Sequence, residues 1–271
     1  MRNAACTLGI AIAAIGSAAW APAATAQQAA AAPAEHTFTG NLAVVSDYRF
    51  RGISQTFRRP AVQGGFDYAH SSGFYIGNWN SNVSGVQYPN GASLEMDIYA
   101  GFKKSFGDLA VDVGAIQYIY PGAKYTGTNE RFDNTEIYIG GAYGPLSAKL
   151  YYAVSDYFGL NNTTAAALGI AQNGRSRGTL YADLTYSQEV LPKTTLIAHV
   201  GHTKVKNYGD FSYTDYRVGA TYDWNGFLLG AAVVGSDVKA AGEGFYTAIN
   251  GNGDTKKLWR PTVVVSIGKT F

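Results

Sequence analysis

The feature that most constrains this chain is an alternation of apolar and polar residues that recurs in twelve segments. In the stretch "SLEMDIYAGFKKSF", Leu94, Met96 and Ile98 share one face. Glu95 and Asp97 share the other. Successive side chains of a β-strand point to opposite faces, whereas an α-helix repeats every 3.6 residues. The alternation therefore predicts an all-β chain whose strands each have one apolar and one polar face.

The connections between these segments alternate between tight turns and long polar loops. The tight turns lie at 71–73, 107–108, 144–145, 191–193 and 225–226, and the long loops at 52–60, 82–92, 121–133, 159–177, 205–212 and 238–257. Transmembrane barrels of the outer-membrane type have short periplasmic turns and longer outer loops. The pattern predicts such a barrel, with both ends of an even number of strands on the short-turn side.

A soluble β-sandwich also alternates, but three observations favour a membrane barrel. Charged residues make up 15% of the chain, against roughly 25% in ordinary soluble domains. The strands are about 10 residues long, as a tilted strand crossing a bilayer requires. An aromatic residue ends the apolar face of each strand that runs toward a short turn, as in an interfacial girdle: Tyr68, Phe102, Tyr143, Tyr186, Trp224 and Phe271. We predict a transmembrane antiparallel up-and-down β-barrel of about twelve strands over residues 38–271.

The N-terminal segment has the composition of a secretory signal peptide. Residues 1–26 combine Arg2, the apolar run "LGIAIAAIGSAAW" and "ATA" before Gln27, which fits an A-x-A cleavage site. The apolar run is too short to span a bilayer as a helix. Cys6, the only cysteine, lies in this segment, so no disulfide is expected in the mature chain. Residues 27–37 are predicted to form an Ala-rich lead-in to the barrel. The expected location of the protein is the bacterial outer membrane.

The first third of the chain resembles a known porin family. The blocks "SDYRFRGIS", "GGFDY", "SGFYIGNW" and "LEMDIYAGFKK", densest over residues 42–122, resemble the TorF family of proteobacterial porins. The resemblance implies a signal-bearing outer-membrane protein with a channel role. It also implies that Phe271, at the end of an alternating strand, is read by the outer-membrane assembly machinery. It supplies no substrate and no catalytic residues.

The polar faces of the strands identify the candidate lumen. The predicted pore-lining residues are Asp47, Arg49, Arg51, Asp67, Glu95, Asp97, Tyr99, Lys103, Asp112, Tyr118, Glu136, Tyr138, Lys149, Tyr151, Tyr181, Asp183, Asp215, Arg217 and Asp223. Acids outnumber bases among them, which favours a mild preference for cations. A twelve-stranded barrel lies between the filled small barrels and the wide porins. We therefore predict a porin that passes small hydrophilic solutes by passive diffusion, without cofactor or metal.

Two alternatives remain open from the sequence. Salt bridges among the lumen charges would give a plugged structural or surface-binding barrel without conductance. Arg49 and Arg51 form either the basic side of a constriction opposite Glu95 and Asp97 or neutralised pairs.

The apolar loop 159–177 is predicted to form a short helix that folds into the mouth. Basic residues in the outer loops favour contacts with outer-membrane lipids, and the alternative is an electrostatic funnel for anionic solutes. Nothing in the charge balance predicts a nucleic-acid partner.

A lipid hydrolase is a more distant alternative. His70 and Ser72 have the two-residue spacing found in outer-membrane phospholipases, but they fall at a short turn and no supporting Asn is found. His199 and His202 are three residues apart, so in a strand they face opposite sides and cannot bind one metal ion together. The sequence therefore predicts no enzyme.

Overall fold

A computed structural model describes residues 34–271 of the chain, and this region forms one closed barrel of twelve antiparallel strands. Each strand pairs with its neighbour in sequence, and the last pairs with the first. The predicted all-β barrel of twelve strands is confirmed. The predicted signal peptide, residues 1–26, lies outside the described residues, as do residues 27–33 of the lead-in. None of the helices in residues 34–271 is long and apolar enough to cross a membrane.

The strands are separated by short turns and long loops in the predicted order. The barrel strands are β1 (His36–Val45), β2 (Ala61–His70), β3 (Phe74–Asn82), β4 (Leu94–Phe106), β5 (Leu109–Ile119), β6 (Asn134–Tyr143), β7 (Leu146–Ala153), β8 (Leu180–Leu191), β9 (Thr194–Lys204), β10 (Tyr213–Trp224), β11 (Phe227–Val238) and β12 (Thr262–Thr270). The long loops contain two two-stranded hairpins, Arg49–Phe50 with Ile53–Ser54 and Thr247–Ile249 with Thr255–Lys257, and one α-helix, α1 (Asn162–Ala167). All six long loops lie at one end of the barrel.

The barrel closes at a seam between β1 and β12. The Gly40 N–H donates to the Phe271 carbonyl at 2.7 Å, and the Phe271 N–H donates to the Gly40 carbonyl at 2.9 Å. The Phe271 ring lies over Gly40, where a Cβ would come within 2.6 Å of a ring carbon. An open strand edge in lipid would leave backbone groups unpaired. The last residue of the chain therefore takes part in closing the sheet.

The outward face of the barrel carries an apolar band. Phe38, Phe66, Ile98, Ile139 and Val218 are among its exposed side chains. Of the six aromatic residues predicted for the girdle, Phe102, Tyr143, Trp224 and Phe271 are exposed, and Tyr68 and Tyr186 are half-buried. So large an exposed apolar surface suits lipid rather than water. The interfacial role of the six residues stays a prediction.

The predicted extent of the first strand is wrong. The alternation in "NLAVVSDYRFRG" predicts one strand with Tyr48 and Phe50 facing lipid. In the structure β1 ends at Val45, and both rings are buried inside the barrel. Arg51 and Gly52 have φ angles of 45° and 80°, which turn the chain back on itself. Residues 46–60 thus enter the lumen. Alternation does not distinguish an aromatic side chain that faces lipid from one that packs in the interior.

A glycine at position 65 is required by a close approach between β2 and β3. A Cβ on Gly65 would lie 2.0 Å from the Asn78 carbonyl oxygen and 2.9 Å from the Trp79 Cα. Both neighbours are backbone atoms, so the strand itself would have to shift. We expect Gly65→Ala to lower the free energy of unfolding by about 1–3 kcal/mol, the usual cost of overpacking. Urea unfolding of the refolded barrel in lipid vesicles, followed by tryptophan fluorescence, measures this.

A matched control is Gly141→Ala on β6. A Cβ there would meet only the Ala110 carbonyl oxygen, at 3.3 Å. Its effect should stay within about 0.5 kcal/mol, as for most substitutions away from packing contacts. Equal effects of the two substitutions would contradict the close approach at Gly65.

Candidate functional site: the barrel lumen and its outer mouth

Most of the predicted pore residues lie on the inward faces of the strands. The structure places there Asp67, Glu95, Asp97, Tyr99, Lys103, Asp112, Tyr118, Glu136, Tyr138, Lys149, Tyr151, Tyr181, Asp183, Asp215, Arg217 and Asp223. Contacts between separate strands show their common orientation. The Tyr75 hydroxyl donates to Asp112 at 2.6 Å, and Lys149 Nζ lies 2.8 Å from the same carboxylate. Their part in conduction stays a prediction.

The other three predicted residues, Asp47, Arg49 and Arg51, lie in the segment 46–60, which we call the inner loop. Its first half is held by an internal ion pair, with Arg49 Nε 2.8 Å from Asp47 Oδ2. Asp47 Oδ1 accepts a hydrogen bond from the Ser54 hydroxyl at 2.6 Å. Arg49 Nη1 donates to the carbonyls of Gly52 and Arg260, each at 2.9 Å. These bonds give the loop a fixed shape and tie it to the loop after β11.

Arg51 joins the inner loop to the barrel wall. Its Nη2 lies 2.6 Å from Glu136 Oε2, and Nη1 donates to Glu136 Oε1 at 3.1 Å. The guanidinium carbon lies 4.0 Å from the centre of the Tyr181 ring. Two parallel hydrogen bonds from arginine to a carboxylate are stronger and more specific in geometry than a single one. This bidentate pair is the main electrostatic contact between loop and wall.

The layer around Arg51 is densely packed. The Tyr48 hydroxyl donates to Glu95 at 2.9 Å, and the Tyr48 ring meets the edge of Trp79 at 5.4 Å between centroids. Phe50 packs edge-on against Tyr118 at 5.5 Å. Glu95 and Asp97 are both 0% exposed. The inner loop therefore fills this cross-section of the lumen with side chains.

The arginines form neutralised pairs rather than a basic wall opposite Glu95 and Asp97. Arg49 pairs with Asp47, and Arg51 pairs with Glu136. Within residues 34–271, neither oxygen of the Asp97 carboxylate has a hydrogen-bond partner. The occluded layer thus contains more acid than its one wall-contacting arginine neutralises.

Below this layer, toward the short turns, the lumen is polar and partly accessible. His199 lies between two acids there, with Nε2 2.9 Å from Asp215 and Nδ1 3.3 Å from Asp183. Sequence reasoning did not propose His199 or Tyr75 for the lumen. Both sit at alternating positions of their strands, and this register was the signal that would have identified them.

The long loops line a cavity of about 800 Å³ that opens at the outer end of the barrel, which we call the outer pocket. All six long loops contribute to its wall, including Phe50, Tyr88, Tyr125, Phe158, Phe211 and Tyr246. Helix α1 lies in the loop predicted to contain a short helix, and the Asn161 side chain caps it by accepting from the N–H groups of Thr163 and Thr164. Leu168 and Ile170, just after α1, also line the pocket. The expected helix is confirmed, and its loop borders the mouth.

His70 and Ser72 meet at the turn between β2 and β3. The Ser72 Oγ lies 2.7 Å from His70 Nδ1, and the Ser72 N–H donates to the same nitrogen at 3.1 Å. In a serine hydrolase, the lone pair of the histidine nitrogen accepts the proton of the nucleophilic serine. Here the lone pair of His70 Nδ1 is shared with the backbone N–H of Ser72. We interpret the contact as a cap on the turn.

Glu35, His36 and His70 also bring three ligand-type atoms within 4.8 Å of one another at this exposed edge.

Comparisons with solved structures agree with the barrel. A structure described as "KdgM porin" superposes with a TM-score of 0.50 at 10% identity, covering 87% of this chain and 98% of that one. The "KdgM porin in complex with disordered oligogalacturonate" gives 0.49 at 9% identity, covering 87% and 98%. The outer membrane phospholipase A of Escherichia coli gives 0.42 at 11% identity, covering 86% and 95%. At such identities the likeness shows the fold alone, and that fold is porin-like.

No curated protein matches the chain. A family model described as "Bacterial protein of unknown function (Gcw_chp)" matches residues 28–271. The resemblance to TorF porins is thus supported at the level of a porin-like barrel, while the matching family model has another name. The chain belongs to the Gcw_chp family of bacterial proteins.

Proposed function

We propose that this protein is an outer-membrane channel for the passive diffusion of small hydrophilic solutes, and that the inner loop closes its lumen in the conformation described here. The observation that carries the proposal is the bidentate contact between Arg51 and Glu136 inside a porin-like barrel. A polar lumen lies on the short-turn side of this contact. Release of one loop would join that lumen to the outer mouth.

The geometry of the inner loop supports a movable element rather than a part of the wall. Residues 46–60 make no strand pairing with the barrel, and their only two-residue strands pair with each other. Arg51, Phe57 and Arg58 have φ angles of 45°, 54° and 57°. Such conformations are costly in non-glycine residues and gather at functional sites and switches. The backbone of the inner loop makes three hydrogen bonds to the backbone of other segments, Ser46 to Val265, Ser54 to Leu258 and Ser84 to Gln55, and none of them is part of the strand pairing of the barrel. The loop can therefore leave without breaking the barrel.

The second candidate is a plugged structural barrel that does not conduct. The hydrogen bonds of Asp47 and the full burial of Phe57 favour it, because they add to the contacts that hold the inner loop in place. The two candidates differ only in whether the loop leaves the lumen on a functional time scale.

The proposed location is the bacterial outer membrane, with export through a signal peptide over residues 1–26. Lipids would contact the apolar band, and basic side chains of the long loops would contact lipid head groups. The assembly machinery would recognise the strand that ends at Phe271. Lys269 on the same strand lies 4.7 Å from the centre of the Phe227 ring, near the short-turn end.

A reversible cross-link between two loops tests the channel. The Ser84 N–H donates to the Gln55 carbonyl at 2.9 Å, so the two backbones are in direct contact, as an engineered disulfide between these loops requires. We expect Gln55→Cys with Ser84→Cys, in a Cys6→Ser background, to conduct in planar bilayers only when the disulfide is reduced. Oxidation would hold the inner loop in the lumen. Single-channel recording before and after a reductant measures the change.

Each single-cysteine variant serves as the control, because it carries one substitution without the bridge. Equal conductance in the oxidised and reduced double variant would show that solutes pass without movement of the inner loop. Absence of conductance in every state of a folded barrel would favour the plugged structural barrel.

A further inference from the structure

We propose that the outer pocket binds an uncharged aromatic or otherwise apolar small molecule, which holds the inner loop in its closed position. The coupling to the loop rests on the proposed channel function, whereas the binding does not.

The lining of the pocket carries no charge. Among the described residues, no Asp, Glu, Lys, Arg or His lines the cavity, and eleven of its lining residues are aromatic. Its volume of about 800 Å³ lies in the range of small-molecule sites. A charged ligand entering it would lose its hydration without gaining a counter-ion, which costs several kcal/mol or more. The pocket therefore selects against ions.

Four of the six tyrosine hydroxyls around the pocket are already used by the protein. Tyr125 donates to the Phe158 carbonyl at 2.9 Å, and Tyr246 donates to the Phe211 carbonyl at 2.7 Å. Tyr88 donates to Gln55, and Tyr157 accepts from Arg51 at 3.2 Å. Burial raises the pKa of Tyr157 to about 12, so this phenol stays neutral at physiological pH. These rings therefore present their carbon faces to a ligand.

The two glutamines of the lining each use both the nitrogen and the oxygen of the amide within the protein. Gln87 accepts from the Phe57 N–H and donates to the Ser54 carbonyl. Gln55 donates to the Ile53 carbonyl at 2.8 Å and accepts from Tyr88. A sugar stacked on the aromatic rings would bury hydroxyl groups with few partners, and each unsatisfied group costs about 1–3 kcal/mol. An apolar ring system avoids this cost, so the pocket favours it over a carbohydrate.

The floor of the pocket is the inner loop itself. Phe50, Ile53 and Gln55 line the cavity from below, and Phe50 packs against Phe158 at 5.6 Å between ring centroids. A ligand that rests on these side chains contacts the loop only while the loop is in the lumen. Ligand binding therefore shifts the population toward the closed conformation. The site is thus a sensor at the mouth as well as a binding site.

A matched pair of ligands tests the chemistry of the site. We expect 2-naphthol, which is uncharged at neutral pH, to bind the refolded protein in nanodiscs at least about tenfold more tightly than 2-naphthoate, which has the same rings and a carboxylate. Maltose, a polyhydroxylated ligand, should give no binding. Titration calorimetry against empty nanodiscs separates binding from partition into lipid. Equal binding of naphthol and naphthoate, or tight binding of maltose, would overturn the proposal.

A matched pair of variants tests whether the ligand binds in the outer pocket. Leu168 lies on the exposed rim of the pocket, so Leu168→Glu brings a charge to the lining with little effect on folding. We expect it to weaken 2-naphthol binding roughly tenfold or more. Ile249→Glu is the control, since Ile249 is also apolar and exposed but lies outside the lining. Unchanged binding in Leu168→Glu, or equal losses in both variants, would place the ligand elsewhere.

Single-channel recording separates the two proposals. If the protein conducts, 2-naphthol added on the loop side should lower the fraction of time spent open, and Leu168→Glu should abolish this effect. Binding without conductance would leave the pocket assignment standing and reject the channel. Conductance without 2-naphthol binding would support the channel and reject the pocket assignment. Binding that leaves the conductance unchanged would reject the coupling between the ligand and the inner loop.

Discussion

Arg51→Gln is expected to lower the free energy of unfolding by about 3–5 kcal/mol, the usual cost of removing one partner of a buried ion pair. Arg51 and Glu136 are 5% and 1% exposed, and Glu95 and Asp97 lie in the same occluded layer. Loss of the guanidinium leaves Glu136 without the cation that pairs with it, because the other buried arginine of the inner loop, Arg49, is paired with Asp47. The same change should release the loop and raise the open fraction in bilayer recordings. Urea unfolding and single-channel recording on one refolded sample measure the two effects.

Two further variants make the result specific. The double variant Arg51→Gln with Glu136→Gln removes the charge and its partner together, and we expect it to recover a large part of the lost stability. Arg59→Gln changes an exposed arginine of the same loop and should cost less than about 0.5 kcal/mol. A loss in Arg51→Gln no larger than in Arg59→Gln would contradict the role of the ion pair as the anchor of the inner loop.

The barrel could be predicted from the sequence because its cause is local. Each strand has one face toward lipid and one toward the lumen, so the alternation is written into short segments such as "TDYRVGATYDW". Turn residues such as Gly107 and Gly226, which adopt φ angles of 61° and 84°, mark the hairpins just as directly. Strand number, strand order and loop lengths all follow from such short-range signals.

The closure of the lumen could not be predicted because it depends on contacts between distant segments. The partner of Arg51 is Glu136, 85 positions away. Alternation continues through "SDYRF" and carries no sign that the strand has ended at Val45. The left-handed conformation at Arg51 and Gly52 turns the chain back after Phe50, which packs against Tyr118. Only the folded barrel shows which acid meets which base.

The outer pocket could not be predicted from the sequence for a related reason. Its aromatic residues are scattered over six loops and the first residue of β10, and each loop alone contains too few to indicate a site. Tyr88 stacks on Tyr120 at 4.8 Å and Phe211 on Phe245 at 4.5 Å, and both pairs join different loops. The apolar stretch after Asn161 was the one local signal, and it correctly indicated a helix at the mouth. Loops that pack on one another need a structure to reveal their common surface.

The distribution of charge along the axis gives the molecule two different solute environments. The outer pocket is uncharged, whereas the lumen below the inner loop contains pairs such as Lys149 with Asp112 at 2.8 Å. The inner loop separates the two and supplies two of the five bases predicted for the lumen, Arg49 and Arg51. Removal of the loop should therefore change both the resistance of the pathway and its preference for ions.

Replacing residues 47–59 by Gly-Ser-Gly is expected to turn a protein that is mostly closed into an open, cation-selective channel. Val45 and Ala61 are directly paired across β1 and β2, so a short connection spans the gap without strain on the barrel. The acids that remain on inward faces are Asp67, Glu95, Asp97, Asp112, Glu136, Asp183, Asp215 and Asp223, and the bases are Lys103, Lys149 and Arg217. Such an excess of acid attracts cations to the lumen.

Single-channel recording under a salt gradient measures both properties of this variant, since conductance reports the opening and the reversal potential reports the selectivity. Deletion of residues 251–253, at an exposed loop tip away from the lumen, is the control and should leave the recordings like those of the unaltered protein. A folded variant without conductance would show that the strand side chains alone close the lumen. A reversal potential favouring anions would show instead that Lys103, Lys149 and Arg217 govern the pathway despite the larger number of acids.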